Sequence, residues 1–149
     1  MSAGDRESMA YWESYKDFTE KFKHKMTTDD CYTPEPVYEV VKRWAAREYG
    51  IDESSVVRPC YPGGDYEHYD YQKGCVVLDN PPFSKLKTII KFYDEREIDY
   101  FLFAPTLTIL STIAKTGASG IVAAIKVKYE NGATVNTSFV SNMESALVR

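Results

Sequence analysis

The run Cys75-Val76-Val77-Leu78-Asp79-Asn80-Pro81-Pro82-Phe83-Ser84 decides how this chain is read. Its first four residues are apolar, which suits a short buried strand. The proline pair ends that strand, because proline has no N–H to give a ladder and holds φ fixed. Leu86, Ile89, Ile90 and Tyr93 then recur at intervals of three or four, so a helix should start at Pro82 or Ser84 with these residues inward. A strand that passes through a stiff turn into a helix puts Asp79 to Ser84 on the carboxyl edge of an open α/β sheet. That edge is where such sheets bind ligands.

Working outward, Gly74 to Leu78 is the predicted strand, and Val56-Val57 a shorter one before it. Between them, Arg58-Pro59-Cys60-Tyr61-Pro62-Gly63-Gly64-Asp65 is forced into a loop by its prolines and glycines. The loop continues through the aromatic, acidic stretch Tyr66, Glu67, His68, Tyr69, Asp70, Tyr71. Pro34 to Tyr49 is a predicted helix, with Thr33 as its cap, Val37, Val40, Val41, Trp44 and Ala45 as its apolar stripe, and Gly50 as its stop. Asp5 to Lys25 is another, with Met9, Trp12, Tyr15, Phe18 and Phe22 on one face. Packing on the domain is the ordinary use of such a stripe, and binding a partner is the other. Downstream, Asp99 to Ala104 is a strand broken by Pro105, and Thr106 to Lys115 a short helix. Ile121 to Tyr129 and Thr134 to Val140 flank Glu130-Asn131-Gly132, and Asn-Gly between β runs signals a hairpin. The order predicts an α/β fold: a largely parallel sheet with flanking helices, closed by a C-terminal antiparallel hairpin. Residues 1–25 form an N-terminal amphipathic helix, and 26–149 one domain.

The 149 residues suit one core, and 44% apolar with 27% charged residues is an ordinary globular mix. The net charge of −4 is opposite to the basic excess of a dedicated nucleic-acid binder. Cys31, Cys60 and Cys75 show no paired spacing, so neither a zinc pattern nor a disulfide framework is expected, and the cytosol is the natural compartment. His24 and His68 stand apart from other ligand types, so no metal is expected. No stretch reaches the ~20 apolar residues of a membrane span. Ser145 to Arg149 carry no stop signal, which reads as a fragment of a longer frame.

The decisive motif suits one kind of chemistry. The N6 amine of adenine is a poor nucleophile because its lone pair is delocalised into the ring. Hydrogen bonds accepted from that amine favour the sp³ geometry needed for attack. Asn80 offers a side-chain carbonyl and Pro81 a backbone one, both on a stiff backbone. Phe83 offers a face for a stacked base, worth ~1–3 kcal/mol in single-stranded complexes. The base must leave its duplex to reach such a site.

On these residues the chain resembles the N6-adenine DNA methyltransferases, above all phage-borne and type II restriction-modification members. Asp79 to Ser84 resembles their catalytic motif, and Tyr32-Thr33-Pro34 their donor-contacting element ahead of the first strand. Pro59, Gly63 and Gly64 resemble the Gly-rich turn around the donor, Phe101 to Thr108 the strand after the motif, and Thr137 to Asn142 a late strand. The resemblance spans about Lys25 to Met143. It implies a compact Rossmann-like fold and transfer of a methyl group from S-adenosylmethionine to adenine N6 in DNA. Asn80, Pro81, Pro82 and Phe83 would hold the flipped adenine. Tyr32, Thr33, Pro59, Gly63, Gly64, Asp65 and Asp79 would bind the donor. It also implies the cytoplasm of a bacterial or phage-infected cell.

The chain departs from the family on the donor side. Arg58 stands where the first strand normally carries an acid, and only 14 residues separate Asp65 from Asn80. The family places two further strands and their helices in that interval. Asp65, Glu67 or Asp70 would substitute for the missing ribose-binding acid, with Tyr66, Tyr69 or Tyr71 stacking on the donor. No basic segment that reads DNA is present, so a missing recognition region or a partner subunit is implied. Lys85, Lys87 and Lys91 beside the motif, and Lys126 and Lys128 on one strand face, are the candidate phosphate contacts. The alternative is a catalytically degenerate module of the same framework that binds nucleic acid or protein. Methylation of cytosine N4 or of a protein glutamine is a third reading.

Overall fold

Helix α1, Glu35–Tyr49, begins the described part of the computed structural model, which covers residues 33–61, 64–129 and 132–149. The helix predicted over residues 5–25, and Tyr32, Gly63 and Asn131, lie outside it. α1 starts behind Pro34, whose carbonyl accepts from Val37 N and Tyr38 N. Thr33 is not its cap, for no side-chain capping bond forms and the Thr33 hydroxyl is buried. Gly50 stops the helix at φ 65°, a left-handed conformation glycine adopts without strain, and its N–H closes on Ala46 O. The buried face is Tyr38, Val41 and Ala45, whereas Val40 is 64% and Trp44 40% exposed. The predicted stripe was therefore placed about a quarter-turn off, because it passed over Tyr38.

The remaining elements follow the predicted order. They are β1 (Val56–Val57), β2 (Val76–Asp79), α2 (Leu86–Glu95), β3 (Asp99–Pro105), α3 (Ile109–Thr116), β4 (Ser119–Lys128) and β5 (Thr134–Ser141). Short 3₁₀ turns at Phe83–Lys85 and Thr106–Thr108 lead into α2 and α3. Leu86, Ile89, Ile90 and Tyr93 are buried, as the spacing predicts.

The strands form one sheet in the order β1-β2-β3-β5-β4. β1, β2 and β3 are parallel neighbours, and β5 is antiparallel to both β3 and β4. β4 thus points the same way as the first three strands, and β5 alone is reversed. α3 carries the chain past the neighbouring position, and the hairpin returns β5 to fill the gap. The predicted hairpin is present, but it is β5 rather than β4 that joins the parallel part. A register shift between Ile121 and Ile125 marks a bulge in β4.

All four residues of β2 are buried, because both faces of the sheet are covered there. On one face α2 and α3 pack on Val77, Leu102, Ala104 and Val140. On the other, α1 alone packs on Leu78, Phe101, Phe103, Ile121 and Phe139. The last residues pair with β4: Gly120 N donates to Leu147 O, Arg149 N to Gly120 O and Val122 N to Arg149 O, each at 2.8 Å. Arg149 also pairs with Glu48 and Glu144. The chain is mixed α/β with helices on both faces of its sheet, compatible with a Rossmann-like fold. Among the described residues no helix is long and apolar enough to cross a membrane.

Candidate functional site

Asp79 ends β2 with its carboxylate 1% exposed. Oδ2 accepts from Cys60 N at 2.5 Å and Oδ1 from Asn80 N at 2.9 Å. Burial pushes this carboxyl up to about 6, against the opposing pull of those N–H groups and of Arg58. One residue earlier, Leu78 O accepts a buried hydrogen bond from Tyr38 OH at 2.9 Å. The end of β2 is therefore clamped by α1 and by the turn after β1 before the chain reaches Asn80.

Asn80 is half-buried with its side-chain oxygen out of solvent, and Pro81 is buried. Pro82 sits at φ −54°, ψ 120°, and its carbonyl accepts from Lys85 N at 3.0 Å to start the turn into α2. Phe83 packs edge-on to Tyr129, with ring centroids 6.3 Å apart, in a cluster with Val37 of α1 and Val135 of β5. Tyr129 is itself held by a 3.0 Å hydrogen bond between its hydroxyl and Thr137 Oγ1. Phe83 is only half-buried, so part of its ring stays at the surface. Thr33 lies one helical turn before Val37 at this same end of α1. Its Oγ1 is buried without a hydrogen-bond partner. The structure thus gathers Thr33, Asp79, Asn80, Pro81, Pro82 and Phe83 at one edge, and Pro59 joins them through the neighbouring Cys60.

The predicted donor side is built otherwise. The Arg58 guanidinium lies 3.6 Å from the centre of the Tyr38 ring and 4.5 Å from that of Tyr61, and pairs with Glu35 at 3.3 Å. A cation clamped between aromatic faces now fills the place of the expected acid. At Gly64 a Cβ would run into Pro59 O and lie 2.8 Å from Tyr61 O. The turn's own carbonyls demand that glycine, so it is no sign of a ligand. Asp65 is exposed and engaged with His68 Nδ1 at 2.6 Å and Glu67 N at 3.0 Å. That pairing holds its carboxyl below the usual range and raises the imidazole. Asp70 accepts from Gln72.

The tyrosines expected to stack on the donor are used in packing. Tyr66 meets Phe92 edge-to-face at 5.2 Å, Tyr71 lies 5.8 Å from Tyr93, and the Tyr71 hydroxyl donates to Tyr66 O at 2.6 Å. Burial against this cluster and against Asp79 pushes the Cys60 thiol up, so it stays protonated. With no helix between β1 and β2, these aromatics supply the apolar cover that a crossover helix would give. The described residues on this side do not form a cradle for S-adenosylmethionine.

Sequence reading missed Tyr38, Tyr129 and the Asp79–Cys60 link, which join residues 40, 46 and 19 positions apart. No local pattern announces them. The more open clefts lie elsewhere. One of about 430 Å³ opens at the opposite edge, between Gly50, Asp52, Gly74, Val76, Asp99 and Met143. Among the described residues no group of His, Cys, Asp and Glu could hold a metal ion. No protein-family model matches the chain, and no curated protein or solved structure is significantly similar to it.

Proposed function

We propose that the carboxyl edge of β2 holds the exocyclic amine of an unstacked base, adenine above all, and that the chain is the base-holding unit of an N6-adenine DNA methyltransferase. The observation that carries this reading is the clamp on β2. Tyr38 and Cys60 fix the backbone immediately before Asn80, and the proline pair stiffens it immediately after. The Asn80 carbonyl and the Pro81 carbonyl are then acceptors with little freedom to reorient, as a preorganised site requires. Phe83, backed by Tyr129, offers the stacking face. Methyl transfer from S-adenosylmethionine is the reaction this arrangement would serve. The test is binding of an adenine-containing single-stranded oligonucleotide to the wild type and to Asn80→Ala, with methyl transfer followed in parallel. Loss of both in a folded variant supports the reading, and equal behaviour of the two proteins sinks it.

A second reading rests on the donor side. Arg58 in place of an acid, and tyrosines closed on α2, favour a module that binds a base without transferring to it. Titration with S-adenosylmethionine separates the two. A thermal shift together with methylated product supports the enzyme. Base binding with neither supports the module.

A further inference from the structure

The sheet is unevenly covered. Two helices lie over the face that carries Val77 and Leu102, and one over the face that carries Phe101 and Phe139. Beside α1, above β5 and β4, a groove of about 230 Å³ runs between Val40 and Trp44 on one wall and Ile121, Ala123, Ile125 and Phe139 on the other. Its walls are almost wholly apolar, and Val40, Trp44 and Ile125 are 64%, 40% and 39% exposed. The opposite face of β4 carries Lys126 and Lys128, as a solvent-facing strand should. The apolar side of the same strand is built to be covered.

The chain carries a suitable cover. Residues 9–22 place Met9, Trp12, Tyr15, Phe18 and Phe22 at helical spacing. Residues 26–32 join this segment to Thr33, directly before α1, and seven extended residues reach at most ~25 Å. Trp44, eleven residues beyond Thr33, is only about 16 Å along the helix axis. The tether thus reaches the whole groove, at the high effective concentration of a short linker.

We propose that segment 5–25 of the same chain lies in the groove between α1 and β4, with its aromatic stripe against Trp44 and Ile125. It makes the second layer of that face continuous and holds α1, which anchors β2 through Tyr38. This does not depend on the function proposed above.

The chain has two tryptophans, Trp12 and Trp44. Full-length protein with Trp12→Phe therefore leaves Trp44 as the sole reporter inside the groove. The proposal expects blue-shifted emission and weak acrylamide quenching, independent of protein concentration. Adding Phe18→Ser and Phe22→Ser should raise the quenching severalfold while the circular dichroism of the folded domain persists. Equal quenching with and without those serines overturns the proposal. Protection that vanishes on dilution also overturns it, in favour of a second copy of the chain. Should the serine variant fail to fold, Ile125→Lys in the Trp12→Phe background decides. A covered groove predicts a lower Tm and stronger quenching, and an open one predicts neither.

Discussion

β1 and β2 end on the same edge of the sheet, yet they are secured by different means. β2 is buried along its four residues and bonded to a strand on each side. Its last residue and the one before it accept hydrogen bonds from the β1 turn and from α1. β1 has two half-buried residues at the margin of the sheet, and the loop after it packs mostly on its own aromatic side chains. The difference teaches that the two halves of the expected site need not stand or fall together. A backbone clamped by long-range hydrogen bonds can hold two acceptors in place. A loop stabilised by its own tyrosines can close over the space a ligand would take.

Four substitutions test that contrast, beginning with the largest effect. Asn80→Ala should cut base binding, or methyl transfer where it occurs, by about 100-fold or more, the size of effect seen when one preorganised hydrogen-bonding group is removed. Its unfolding midpoint should stay close to wild type. An effect of that size from a residue of the 64–71 loop, with none from Asn80, would reverse the contrast.

Asp79→Asn comes next, through pH. The Asp79 carboxyl titrates near 6 in the folded protein against an ordinary value of 3.8, so the folded state holds its proton the more tightly. Its contribution is therefore greatest below about pH 4 and is lost as pH rises through about 6, by roughly 3 kcal/mol. Urea unfolding between pH 4 and 7 should show this fall in the wild type relative to the variant. Parallel pH profiles would remove Asp79 as a buried titrating group.

Tyr38→Phe leaves Leu78 O buried without its donor and should cost about 1–2 kcal/mol in chemical denaturation. It should also weaken base binding modestly by loosening β2, a readout that a merely structural cost to α1 would not move once the protein is folded. Smallest of all, Asp65→Asn breaks an exposed pair with His68. The melting temperature should stay unchanged from pH 5 to 8, because exposed pairs of this kind are well screened.

Much of the fold was legible because its signals are local. The inward residues of α2 follow from a period of three and four, the end of α1 from Gly50, and the hairpin from Asn131-Gly132, although Asn131 itself lies outside the described residues. The α1 stripe was legible only in part. A tyrosine reads as ambivalent, and the sequence does not tell that the Tyr38 hydroxyl finds a carbonyl 40 residues away. The placement of β5 between β3 and β4 was hidden for another reason. Nothing within a hairpin states which of its strands faces the rest of a sheet.

At the site, the position of Asp79 to Phe83 on a strand end was readable, because prolines punctuate chains reliably. The closure of Tyr66 and Tyr71 onto Phe92 and Tyr93 was not, since an aromatic residue in a loop serves equally to stack on a ligand or to pack on a helix. Arg58 was visible as a departure. Its aromatic clamp depends on Tyr38, a residue of α1 that lies 20 positions earlier in the chain.

The reversed strand also bears on the order of folding. β4 has β5 as its partner along its length and touches β3 nowhere as a paired strand, so it joins the sheet only through β5. Hairpins form in about 1–10 μs, because their ends are close in sequence. The hairpin should then arrive at β3 as a preassembled unit, docking Phe139 against Phe101 and Phe103 in one event. The parallel strands β1 and β2 must instead close an 18-residue loop that has no helix to guide it. Folding of this chain should be paced by its shortest strand, and a change at Val56 or Val57 should register in the rate of sheet completion before one in the hairpin does.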